Sequence, residues 1–290
     1  MDLSKTLVLG FIAGVTIVIG LPLGRLRRPM PKLKHFLNAV AIGILLFLVW
    51  DVLSHAWEPI NAALGAVHDH SGGLGPVFGY GSLAALGLSV GLLSLVAYDR
   101  HLDRVGRNTG RGGPGAMSVS ESPARLSGPA TWSPARRLSL MIAVGIGLHN
   151  FAEGLAIGQS AARDEVALAA LLVIGFALHN ATEGFGIVAP LAGDLAPDGS
   201  IRRPSWAFLL SMGLIGGGPT FIGTAVGHGF TSEAVSVLFL TLAAGSILYV
   251  VCQLLGIAAR ARRTDLLAYG LLIGLLAGFV TDAVVTAGGA

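Results

Sequence analysis

One cysteine in 290 residues leaves Cys252 without a partner in its own chain. That excludes an intrachain disulfide and a thiolate-rich metal cluster, and its place in an apolar run makes a buried, inert thiol the expectation. Charge is also scarce. Only 12% of residues are Asp, Glu, Lys or Arg against 53% apolar, and the mean hydropathy is +0.74, which is the composition of a membrane protein. The 42 glycines follow no Gly-X-Y period and fall inside apolar stretches, as in helices packed closely through small residues. An isoelectric point near 9.4 points toward nucleic acid only until the basic residues are placed. They lie between apolar stretches and mark topology, so no nucleic-acid partner is expected.

Apolar windows long enough to span a bilayer occur eight times, at 6–24, 35–54, 78–98, 138–161, 166–189, 205–228, 233–257 and 266–287. The expected fold is all-α, a polytopic membrane protein of eight transmembrane helices. The first window begins after Lys5 like a signal peptide, but its length and the following Arg25, Arg27 and Arg28 mark it as an anchor. Alternate loops carry 17 of the 19 Lys and Arg, leaving Lys5 and Arg163 on the other side. By the positive-inside rule the rich side is cytoplasmic, so both termini are expected outside. Residues 1–290 read as one transmembrane transport domain. Within it, 99–137 is expected to be a disordered cytoplasmic loop, rich in Gly, Ser, Pro and Arg and without apolar periodicity. His68-Asp69-His70, with Glu58 before it, reads as a solvated outer loop rather than a metal site.

The chemistry concentrates in a repeat. His149-Asn150-Phe151-Ala152-Glu153-Gly154 in the fourth span is answered by His179-Asn180-Ala181-Thr182-Glu183-Gly184 in the fifth. On a helix each His and the Glu four residues later share a face. The fourth and fifth spans are joined by a few residues near Arg163, so they are antiparallel neighbours with both histidines near mid-membrane. Single polar residues in membrane spans often do no more than bond helix to helix. Two identical sets at matched depth point instead to a cation-binding site of imidazoles and carboxylates, suited to Zn²⁺, Fe²⁺, Mn²⁺ or Co²⁺. Asn150 and Asn180, turned about 100° from the histidines, either ligate a second ion or bond a neighbouring helix. Gly154 and Gly184 either weaken the helix or admit a close neighbour. Asp51, His55 and Asp282 lie in the outer third of their spans, as a waiting point for the ion, as proton acceptors, or simply solvated at the interface.

With its eight spans, its long loop between the third and fourth, and its paired His-Asn-x-x-Glu-Gly motifs, the chain resembles the ZIP family of divalent-metal transporters. The resemblance implies that His149, Glu153, His179 and Glu183 form the principal transport site. It further implies that Asn150 and Asn180 belong, with Glu183, to an adjacent second site, and that the protein is a homodimer. The chain departs from the family in three places. Ala152 and Thr182 replace the usual proline before each glutamate, no acid occurs from Trp206 to Gly227, and the loop holds a single histidine, His101. The second departure makes one ion per protomer the expectation.

The expected function is uptake of a divalent metal, Zn²⁺ first, with Fe²⁺, Mn²⁺ or Cd²⁺ as alternatives, across a bacterial inner membrane by alternating access. The metal is substrate, and no cofactor for catalysis is expected. An intramembrane metal-dependent hydrolase is the alternative from another class, but the His-Glu-x-x-His pentapeptide that would place its base does not occur. A metal-binding sensor that does not transport is the third reading.

Overall fold

A computed structural model describes residues 1–25, 31–109, 129, 132–162, 166–196, 200, 202–229 and 232–287. Eight helices follow one another: α1 (Leu3–Val15), α2 (Pro31–His68), α3 (Leu74–Thr109), α4 (Pro134–Ala162), α5 (Val166–Val188), α6 (Trp206–Gly229), α7 (Glu233–Ala261) and α8 (Thr264–Ala287). Tight 3₁₀ turns extend α1 through Arg25 and α5 through Gly193. Among the described residues seven stretches are long and apolar enough to cross a membrane; α5, several of whose side chains lie outside the described residues, is not counted. The protein is an all-helical, polytopic membrane protein. Inside a bilayer only helices and closed barrels satisfy every backbone group, and these sequences supply the helices.

Two helices run further than their apolar windows. α2 continues past residue 54 because Ile60 is buried against Ala84 and Val237, which holds another turn on α3 and α7 despite Pro59. Glu58 and His68 are therefore helical rather than parts of a loop. Asp69 and His70 close the helix end, where Ser71 and Gly72 both donate their N–H to the Ala66 carbonyl and His70 adopts a left-handed φ of 54°. α3 likewise runs to Thr109, and α4 begins at Pro134, so the two margins of the 99–137 segment are helix. Residues 110–128, where disorder was expected, lie outside the described residues. Cys252 is exposed rather than buried, because the apolar run around it borders the membrane as well as the core.

The helices form two packing groups. α4 packs most extensively on α6, and α1 and α5 complete that group; α2 packs on α8 and α7, and α3 on α7, to make the other. The groups meet chiefly along α4 and α7, with smaller contacts of α5 to α2 and α8. Both ends of the chain come to one end of the bundle. The Met1 amine donates to the Ala161 carbonyl at the end of α4 (2.8 Å), and Thr286 near the end of α8 lines the same cavity as Gln159 of α4. At the opposite, arginine-bearing end the space between the groups is filled by large apolar side chains, among them Ile42, Leu45, Leu138, Ile142, Leu191 and Val250.

Candidate metal centre

α4 is packed by α1, α5, α6 and α7, and this is why His149 and Glu153 on it are nearly inaccessible. Small residues make that enclosure possible. A methyl group on Gly154 would collide with the Thr220 carbonyl, and one on Gly158 with the Thr224 carbonyl; from α6, Gly223 and Gly227 stand equally close to Phe151 and Leu155. Gly184 of α5 meets the Ile17 carbonyl in the same way. Of the two roles open to Gly154 and Gly184, close approach is the one the packing uses.

One histidine and the two glutamates of the motifs lie close together. His149 Nε2 lies 3.2 Å from Glu153 Oε1 on its own helix and 3.9 Å from Glu183 Oε1 on α5. All three are nearly inaccessible, with Glu183 at 1% exposure. The backbone of His179 sits one turn before Glu183, and its side chain lies outside the described residues. His149 closes directly on Glu153, and among the described residues no three His, Cys, Asp or Glu surround a common point as metal ligands would. A cation would have to part the pair, since Zn–N and Zn–O bonds are about 2.0–2.2 Å.

The asparagines take their positions from backbone. Asn150 Nδ2 donates to the Gly216 carbonyl of α6 (3.0 Å), and Asn180 Nδ2 donates to the Ala13 carbonyl of α1 (2.9 Å). Both bond neighbouring helices, as one of their two expected roles required. Each amide orientation is thereby fixed, and Asn150 Oδ1, Asn180 Oδ1 and Glu153 Oε2 have no hydrogen-bond partner among the described residues. Buried acceptors without donors are costly in a protein interior.

Above His149 and Glu153 opens a cavity of about 260 Å³ between the two groups. Asp51 and His55 from α2 and Asp282 from α8 line it, so all three polar residues singled out near the span ends face the same space as the motif. His55 Nδ1 lies 3.6 Å from Asp51 Oδ1. Gln159 and Ser236 also line it, and sequence reasoning did not single them out. Gln159 lies six residues past Glu153 in a stretch whose only other polar residue before Arg163 is Ser160, which was a usable signal; Ser236 offered none. The carbonyls of Gly216 and Ala13 could not have been found from side-chain types at all.

The family model described as ZIP Zinc transporter matches residues 119–285, more than half of the chain and all of α4 to α7. A protein similar to this one is the zinc transporter ZupT of Enterobacter sp. (strain 638), 28% identical over 163 residues. That alignment takes in 56% of this chain and 52% of the other, so the chain spans about half the length of the curated relative it matches.

Proposed function

Because the chain belongs to the ZIP zinc transporter family, we propose that it carries a divalent first-row metal, Zn²⁺ foremost, across a bacterial inner membrane into the cytoplasm. ZIP proteins are transporters rather than enzymes, which sets aside the hydrolase alternative. One observation supports the reading most: His149 and Glu153, deeply buried with Glu183 behind them, line the floor of a cavity that Asp51, His55 and Asp282 also line. Aspartates at the mouth concentrate cations; the histidine and glutamates below supply directional nitrogen and charged oxygen ligands. His179 completes the set by its place in the repeat, with Asn150 and Asn180 contributing amide oxygens. The absence of a helix 6 acid keeps the expectation at one tightly held ion per protomer.

The shape of the molecule supports alternating access. The site is open toward the end that carries both termini and closed by apolar side chains toward the arginine-rich end. With the charge bias setting the arginine-rich end inside, this is an outward-facing conformation. Movement of the α1, α4, α5 and α6 group against the other would open the lower side and close the upper. Proteoliposome flux of Zn²⁺, Fe²⁺, Mn²⁺ and Cd²⁺ tests the proposal. Wild type is expected to show saturable flux that Glu153→Ala/Glu183→Ala abolishes with membrane insertion intact. Tight binding without flux of any metal, lost in the double variant, would move the function to sensing.

A further inference from the structure

A second space lies on the far side of α6 from the metal centre. Between α1 and α6 runs an apolar groove of about 680 Å³, open to the membrane face. On α6 its lining extends from Leu210 to Ile222, roughly 18 Å along the axis at 1.5 Å per residue. Its rim is strongly exposed: Phe11 58%, Leu214 73%, Ile222 56%. Both walls belong to membrane-crossing helices, so the medium against this rim is hydrocarbon. The groove exists because Gly14 and Gly217 bring the two backbones into contact and leave no side chains to fill the surface above them.

Charge lies below the groove, past its last lining residues Val18 and Leu210. α1 and α6 are antiparallel neighbours whose register continues downward through Leu21 against Gly213 and Gly24 against Leu209. At the bottom, Arg25 donates to the Pro204 carbonyl (2.9 Å) and lays its guanidinium 5.0 Å from the centre of the Trp206 ring. Trp206 is half exposed, one turn below Leu210, and Arg203 beside it is exposed. An apolar slot about as long as half a bilayer, with a tryptophan one turn below its last lining residue on α6 and two arginines near that level, matches a molecule with a hydrocarbon tail and a negative head.

We propose that this groove is a binding site for an anionic phospholipid, one acyl chain lying between α1 and α6 and the phosphate headgroup against Arg25 and Arg203. The turn of α6 that lines it through Gly217, Gly218 and Pro219 holds Asn150 through the adjacent Gly216 carbonyl. A lipid seated there therefore braces the segment that orients the metal centre. The assignment rests on the membrane-spanning fold alone and not on metal transport.

Native mass spectrometry of the full chain, released from detergent with phosphatidylglycerol or phosphatidylcholine of identical acyl chains, tests it. Wild type is expected to retain phosphatidylglycerol at least about tenfold more tightly than phosphatidylcholine, and Arg25→Gln/Arg203→Gln to erase that preference, since the two cations supply it jointly. Glutamine keeps a donor for the Pro204 carbonyl. Gly218→Leu is expected to weaken retention of both lipids about tenfold by filling the groove; the new Cβ meets only the flexible end of Leu214, at 3.3 Å, so the fold should stand. Equal retention of the two lipids by wild type, or undiminished retention by Gly218→Leu, overturns the assignment. So does a shift of Gly218→Leu from dimer to monomer with lipid adducts unchanged, which would make the groove a seat for a second copy.

Discussion

The two helix groups are built alike and used differently. Within each, glycine brings backbones into direct contact: Gly154, Gly158, Gly223 and Gly227 between α4 and α6, Gly43, Gly270 and Gly274 between α2 and α8, Gly91 and Gly245 between α3 and α7. Across the seam between the groups the corresponding glycine is Gly145 of α4, whose added Cβ would stand 3.5–3.6 Å from Ser246 and Ile247, an ordinary contact. The first group holds the buried His149, Glu153 and Glu183; the second contributes Asp51, His55 and Asp282 from the other wall of the cavity. Each group is interlocked backbone to backbone at its glycines, while at Gly145 the groups stand at ordinary contact distance. The looser contact at Gly145 belongs to the same seam as the cavity lined by His149 and Glu153.

The largest effect that would test this comparison lies inside a group. Gly154→Ala and Gly158→Ala each drive a methyl into a carbonyl of α6 that cannot swing aside, and a cost of about 3 kcal/mol is expected, at the upper end for overpacking. Thermal unfolding of the purified variants reads it. Unchanged midpoints would show that α4 and α6 slide freely and that the first group is not one body.

A smaller effect concerns the wall opposite the motif. Asp51→Asn and Asp282→Asn preserve shape and remove charge from the α2 and α8 side of the cavity that His149 and Glu153 also line. If these aspartates concentrate the ion without holding it in transit, the apparent KM for Zn²⁺ rises about three- to tenfold and maximal flux stays near wild type, since the term removed is electrostatic steering. Abolished flux at saturating metal would instead make them ligands of the principal site and erase the functional difference between the groups.

The site was legible to the depth at which side-chain identity carries the information. The His–Glu spacing, the repeat thirty residues later and the short link between α4 and α5 placed Glu153 and Glu183 around His149, and the charge bias separated the two ends of the bundle. The fold class followed from apolar windows alone, although their ends did not: Ile60 prolongs α2 by packing on α3 and α7, a contact that hydropathy does not encode. Cys252 was misplaced for a related reason, since hydropathy treats lipid and protein core as one medium. The asparagine partners are backbone carbonyls, and the grouping of helices depends on which glycine meets which neighbour. Both are properties of tertiary packing that the sequence holds only in aggregate.

The smallest expected effect is the most discriminating. Gly145→Ala adds its methyl across the seam at a distance the neighbours already tolerate, and alanine is the better helix former by about 1 kcal/mol, so stability should stay level or rise slightly. Flux is a separate matter. If α4 moves along α7 during transport, a methyl that fits in this conformation must pass Ser246 and Ile247 in the next, and the rate should fall by roughly two- to threefold with KM unchanged. Measuring midpoint and flux on the same preparation distinguishes the cases. Destabilisation matching that of Gly154→Ala would mean the seam is as tightly interlocked as the groups themselves, and the division into two bodies would fail; unaltered stability with slowed flux would locate the moving surface between α4 and α7.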